Sequence, residues 1–202
     1  MDALLSVQEA AAAGHREGDA EYYARHVGGQ APEVLWVGCA DSRVQADAAL
    51  GPGKVFVHRN VGNQVRPDDP NCMSAVEYSI MALGVKHVVV CGHQNCGAVK
   101  AALTGADVPE NVGKWISGIS EAAKAAEDKL KALPEAEAVA ALCEINVRNQ
   151  VAAVCGTKAV QGAWDSGKPL AVSGAVYSLE TGKISEVTPR ITSLKDLAEA
   201  GL

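Results

Sequence analysis

The chain has 202 residues, 48% of them apolar, with a single Phe and a formal net charge of −6. That length suits one domain, 1–202, with a sizeable core. The acidic balance, with no Lys/Arg cluster against it, excludes a nucleic-acid partner, and no apolar run approaches the roughly 20 residues a membrane-spanning helix needs. Met1-Asp2-Ala3-Leu4-Leu5 shows neither a basic n-region nor a long apolar stretch. No secretory signal is therefore read, and a cytoplasmic location is expected, with an organelle lumen after removal of a transit peptide as the alternative. Six Cys in such a chain do not suggest a disulfide framework.

Residues 2–27 are Ala-rich with interspersed charges and predict a helix or helix pair broken at Gly14 and Gly18. Leu4, Leu5, Val7, Tyr22, Tyr23 and Val27 give this arm an apolar surface that a partner subunit would cover. Gly28-Gly29-Gln30-Ala31-Pro32 leads into a first strand over Val34–Cys39, whose unbroken apolar character suits burial on both faces of a parallel sheet. Gly51-Pro52-Gly53 turns the chain into a second strand, Lys54–His58. A helix is expected from Asn71, with Met73, Val76, Ile80, Met81 and Leu83 at helical spacing and Gly84 as its stop. A third strand spans His87–Cys91, and a helix begins at Gly97. Residues 114–133 suggest an amphipathic helix broken by Pro134, after which a longer helix runs through Val139, Leu142, Ile145, Val151 and Val154. Leu170–Tyr177 reads as part of a hairpin turning at Glu180-Thr181-Gly182-Lys183, and a short helical tail closes the chain. Strands alternating with helices predict an α/β fold, a mainly parallel β-sheet flanked by helices.

Two apolar runs end in soft metal ligands. Leu35-Trp36-Val37-Gly38-Cys39-Ala40-Asp41-Ser42-Arg43 delivers a thiol, a carboxylate and a guanidinium at alternate positions. Val88-Val89-Val90-Cys91-Gly92-His93-Gln94-Asn95-Cys96-Gly97 delivers a His and a Cys three residues apart. Cys91 reads as strand core, and Cys72, Cys143 and Cys155 as small buried hydrophobes of helices. Two thiolates and an imidazole suit Zn²⁺. The spacing is not that of a zinc finger: one close pair, His93 and Cys96, is completed by the distant Cys39. That leaves a fourth position for water, substrate or Asp41, the pattern of a catalytic zinc. Asp41 can either occupy that position or accept a hydrogen bond from a water there, and Arg43, with its bidentate fork, is the natural group to hold it off the metal.

At these residues the chain resembles the β-class carbonic anhydrases. Cys-Ala-Asp-Ser-Arg (39–43) and Gly-His-Gln-Asn-Cys-Gly (92–97) match the family's two signatures, and Arg59-Asn60-Val61-Gly62-Asn63 looks like a third family loop. Leu142–Val147 and Gln161-Gly162-Ala163-Trp164 resemble the long helix of its bacterial-type members, so that the likeness covers about residues 30–185. The resemblance implies reversible hydration of CO2 to bicarbonate and a proton by zinc-bound hydroxide, with Cys39, His93 and Cys96 as ligands and Asp41, oriented by Arg43, beside them. It implies a substrate pocket of Phe56, Val61, Tyr78 and Gly97, to which Gln30 contributes across a subunit boundary. It also implies a homodimer or homotetramer with the N-terminal helices of 1–27 packed on the partner. A subgroup carries a non-catalytic, allosteric bicarbonate site, and Trp36, Val44, Arg59 and Tyr177 stand at its matching positions. Within that subgroup Asp41 would switch onto the zinc. Several positions depart from the pattern: the loop before Phe56 is shorter, Gly62 and Gln94 replace more usual residues, and Ser173-Gly174-Ala175 replaces a bulkier stretch near Tyr177. Hydrolysis of carbonyl sulfide or carbon disulfide on the same scaffold, and a non-catalytic zinc protein closed by Asp41, are the alternative readings.

Overall fold

The computed structural model describes residues 1–45 and 50–202, which form two compact units, Met1–Ala31 and Pro32–Leu202. In the first unit, helix α1 (Asp2–Gly18) runs straight through Gly14, where a break was expected. One glycine costs a helix only about 1 kcal/mol relative to Ala, and the Ala-rich flanks carry it. The helix does stop at Gly18. Beyond it, His15 stacks on Tyr22 at 4.4 Å, Tyr22 meets Tyr23 edge-on at 5.0 Å, and one 3₁₀ turn follows at Ala24–His26. No residue of α1 is buried, and Leu4, Leu5 and Val7 are exposed.

The second unit is built on a five-stranded sheet in the order β2-β1-β3-β4-β5. β1 (Val34–Cys39), β2 (Val55–Asn60), β3 (His87–His93) and β4 (Ala171–Tyr177) are parallel, and only β5 (Ile184–Glu186) runs antiparallel, against β4. The expected hairpin is thus confined to this edge. Between the strands come α2 (Pro70–Glu77), α3 (Gly97–Thr104), α4 (Glu110–Trp115), α5 (Ser117–Ala125), α6 (Glu127–Lys131), α7 (Glu135–Cys155) and α8 (Lys158–Asp165), with α9 (Leu194–Glu199) after β5. Asp69 caps α2, its carboxylate accepting from the amides of Asn71 and Cys72 with Pro70 in the first turn. One π turn, Tyr78–Ala82, extends that helix to Gly84, whose φ of +67° makes the exit turn. The single helix expected over 114–133 is instead divided among α4, α5 and α6, because Ile116, buried at the first bend, and Ala126 take ψ values near zero. Among the described residues no helix is long and apolar enough to cross a membrane.

Side chains alternate across the sheet. Leu35, Val37, Val88, Val90 and Val172 join Val147, Val151 and Val154 of α7, with α2 and α8, in the main core. The opposite face carries a small cluster of Trp36, Val44, Cys91 and Ala175, to which the described residues of the second unit add strand and loop side chains and no helix. Two glycines set the height of α7 over the sheet. A Cβ at Gly92 would lie 2.8 Å from Val147 Cγ2 and 2.9 Å from Cys143 Sγ, and one at Gly174 would lie 2.7 Å from Val147 Cγ1.

The sheet order places a crevice at one point. From β1 the chain passes to β2 on one side, while the chain leaving β3 passes to β4 on the other. The carboxyl ends of β1 and β3, which are neighbours, therefore lie where the connections diverge, the position at which open α/β sheets bind ligands.

Gly174→Ala should destabilise the protein by about 1–3 kcal/mol, because a methyl group there must displace α7 from the sheet. Urea unfolding measures this, and a midpoint unchanged from wild type would contradict the packing described.

Candidate metal centre

β1 ends at Cys39 and β3 at His93, which is the last residue of the strand and not part of the following loop. Three residues further on, Cys96 occupies the N-cap position of α3. The ligand atoms of Cys39, His93 and Cys96 all lie within 4.8 Å of one another, and all three residues are buried. The sulfurs stand 4.0 Å apart. Two thiolates held about 2.3 Å from a tetrahedral ion would be about 3.8 Å apart, so the observed spacing needs almost no adjustment.

The donor set calls for a cation. His93 donates from Nδ1 to the carbonyl of Gln94 at 2.9 Å, which leaves Nε2 as a lone pair aimed at the two sulfurs. His93 is fully buried and Nε2 has no hydrogen-bond partner. An unsatisfied buried acceptor costs about 1–3 kcal/mol, a penalty that a metal bond removes. The thiols are prepared in the same sense. The hydrogen bond between them holds Cys39 well below the usual thiol range despite burial, aided by His93 and by the backbone of Asp41 and Gly62. That same bond, with burial, raises Cys96, although the Val99 and Ala98 amides of α3 favour its thiolate. One thiol of the pair is thus favoured as a thiolate, the form in which cysteine would hold a metal ion. The remaining thiols contrast with this. Burial pushes Cys91, Cys143 and Cys155 up to about 12 and Cys72 to about 11, as expected of core residues.

Asp41, two residues past Cys39, stands outside the three-residue group. Arg43 grips its carboxylate: Nε donates to Oδ1 at 2.9 Å, Nη2 to Oδ2 at 2.6 Å, and the Arg43 amide to Oδ1 at 3.0 Å. Nη2 also donates to the carbonyl of Asn95 at 3.3 Å, tying the pair to the loop between His93 and Cys96. The Arg43 guanidinium holds the Asp41 carboxyl far below the ordinary range, with the Arg43 amide and His93 adding to the effect. Asp41 Oδ2 lies 3.7 Å from His93 Nε2, so the carboxylate faces the space on which the ligand atoms converge without entering it.

The other expected site residues separate into groups. Val61 is exposed next to Gly62, whose amide donates to Cys39 Sγ at 3.4 Å. At Gly97, beside Cys96, a Cβ would meet nothing within 4 Å, which leaves open space at the mouth. Phe56 pairs in register with Leu35, four residues before Cys39 and so about 13 Å along the strands. It meets the exposed Tyr78 at 5.8 Å, so these two gather away from this chain's own ligands. Gln30 is exposed in the first unit. Trp36, Val44 and Tyr177 share the small apolar cluster on the face opposite α7. Arg59 donates from Nε to the carbonyl of Cys39 and from Nη2 to that of Asp41, both at 2.7 Å, and so braces the exit of β1.

Sequence reasoning missed a buried amide network behind the site. Gln64 and Asn146 both donate to the carbonyl of Gly62, at 2.7 and 3.0 Å, and Gln64 also donates to Asn146 Oδ1 at 2.8 Å. Gln150 accepts from the Val65 amide and donates to Asn146 Oδ1. The signal was available in part: Asn146 and Gln150, four residues apart among the apolar positions of one helix face, need partners there.

A family model described as carbonic anhydrase matches residues 34–184. A carbonic anhydrase of Emericella nidulans is 37% identical over 190 residues, which is 92% of this chain and 82% of that protein. Among solved structures, a Coccomyxa β-carbonic anhydrase in complex with acetazolamide superposes with a TM-score of 0.90 at 41% identity, covering 97% of this chain and 90% of that one. A tetrameric β-carbonic anhydrase of Sordaria macrospora superposes with a TM-score of 0.88 at 32% identity, covering 94% and 98%.

Zinc at a hundredfold excess over its dissociation constant should stabilise the metal-free protein by about 2.7 kcal/mol, raising its Tm by about 5–10 °C. Differential scanning calorimetry of metal-stripped protein checks this. His93→Ala should lose the rise, and a variant that keeps all of it would show that the ion binds elsewhere.

Proposed function

The chain belongs to the β-carbonic anhydrase family, and we propose how its own residues carry the reversible hydration of CO2 to bicarbonate and a proton. The observation that carries the reading is a three-ligand cluster whose nearest carboxylate is held aside by an arginine. Zinc is the cofactor; held by Cys39, His93 and Cys96, it supplies the Lewis acidity that makes water a nucleophile near neutral pH.

Asp41 orients that water. Its carboxylate stays ionised down to strongly acidic pH, so at working pH it is an acceptor only. A water hydrogen accepted by its carboxylate would leave a lone pair free for CO2, and the side chain absent at Gly97 leaves room beside Cys96. A carboxyl this acidic does not retain a proton, so the proton released by hydration passes on to solvent. Arg43 keeps Asp41 in this role, because a carboxylate free to turn inward would take the position that the water needs. The pair also contributes to stability in a definite direction. The folded carboxyl lies below its unfolded value of about 3.9, so the contribution is present above that pH and lost as the pH falls.

The enzyme acts as a homodimer or homotetramer in this reading. The exposed Leu4, Leu5 and Val7 of α1 give the arm a face suited to a partner subunit. Gln30, Phe56 and Tyr78 are substrate-binding residues across that boundary, which accounts for Phe56 and Tyr78 lying far from their own chain's ligands. An allosteric bicarbonate site at Trp36, Val44, Arg59 and Tyr177 is a proposal from resemblance. Six unpaired cysteines suit a reducing compartment, and we read the cytoplasm. No observation favours carbonyl sulfide or carbon disulfide hydrolysis, or a non-catalytic zinc protein.

Asp41→Asn should lower kcat/KM for CO2 hydration by about a hundredfold or more while zinc content stays near one per chain, because the amide can offer a hydrogen where the water needs an acceptor. Stopped-flow hydration assays with metal analysis check this, and a variant with wild-type kcat/KM would contradict the role given to Asp41.

A further inference from the structure

One peptide unit joins the metal centre to a residue well outside it. The amide of Gly62 donates to Cys39 Sγ at 3.4 Å. The carbonyl on the other side of the same planar unit, that of Val61, accepts from the indole Nε1 of Trp115 at 2.8 Å. In a trans peptide the N–H and C=O point in opposite directions, so a donor fixed on the oxygen sets where the hydrogen points. Gly62 has no side chain to hold it and sits at φ +76°, so this plane depends on its hydrogen bonds for orientation. The next carbonyl, that of Gly62, is fixed by Gln64 and Asn146, and Arg66 lies over the Trp115 ring at 5.5 Å.

We propose that Trp115 is a positioning residue for Cys39, acting through the Val61–Gly62 peptide to aim an N–H at the thiolate that binds zinc. A hydrogen bond accepted by the peptide oxygen polarises the unit and strengthens the one its N–H donates. An N–H on the sulfur withdraws charge from the thiolate and fixes its lone pairs, the ordinary way in which outer partners tune a metal ligand. The inference rests on Cys39 being a zinc ligand, and it gives the indole N–H, rather than the ring, a task at the site.

The test compares two indole–carbonyl bonds in the same protein. Trp115→Phe keeps an aromatic ring and removes the donor. Trp164→Phe removes a matched bond, from Nε1 to the Leu170 carbonyl at 2.9 Å, at a place that touches no residue of the metal centre. The measurements are zinc affinity by chelator competition and the thiolate-to-metal charge-transfer band of the cobalt(II)-substituted proteins. Trp115→Phe should weaken zinc binding about threefold to tenfold and shift the band, while Trp164→Phe leaves both at wild-type values. Wild-type affinity and band in Trp115→Phe would overturn the inference, as would equal changes in both variants. A wild-type protein with no thiolate-to-cobalt band would instead remove the metal-centre reading on which it stands.

Discussion

Two sulfurs 4.0 Å apart and a fully buried imidazole nitrogen without a partner make a cluster that a cation among them would stabilise. Taken singly, each group is costly to bury: a thiolate because it is charged, and Nε2 because its lone pair has lost water. A zinc ion held by Cys39, His93 and Cys96 would replace the three costs with one set of bonds. The arrangement around it serves to bring two strand ends together at the point where the chain's connections diverge. β1 and β3 are neighbours in register, so Cys39 and His93 are placed by the stiffest part of the molecule, and Cys96 follows at the start of α3.

The second constraint is the contest for Asp41. It lies two residues from one ligand and 3.7 Å from the nitrogen of another, close enough for a metal ion to attract it. Arg43 answers with two side-chain hydrogen bonds and one from its own amide, and it is itself tied to Asn95. Arg59 holds the carbonyls on either side of this exit, those of Cys39 and Asp41. These hydrogen bonds to a carboxylate and to backbone hold Asp41 to one side of the three converging ligand atoms. One local sequence, Cys39 to Arg43, contains both a candidate ligand and the arginine that holds the neighbouring carboxylate aside.

Much of this was legible in the sequence because it is local. The limits of β1, the stop at Gly84, the break at Pro134 and the ligand triad each follow from periodicity, a turn residue or a short motif. The structure departs where distant contacts decide. The break expected at Gly14 is absent because neighbouring alanines carry the helix, and the helix expected over 114–133 bends where Ile116 is drawn into the core. Asn146 and Gln150 show in the sequence only that they need partners, and Trp115 shows not even that. Their partners are 84, 85 and 54 residues away, and such pairings exist only once the sheet order is known. Phe56 and Tyr78 show the converse: the family pattern named them, yet one chain alone does not bring them to the zinc ligands.

We propose a three-ligand zinc whose fourth position is open because Arg43 withholds Asp41. Zinc X-ray absorption of the enzyme at neutral pH, with and without added azide, tests it most directly. The predicted result is two sulfur neighbours at about 2.3 Å and two lighter ones at about 2.0–2.1 Å, one of which exchanges when azide is added. A shell with a different sulfur count, or one that azide leaves unchanged because a carboxylate already fills it, would contradict the claim.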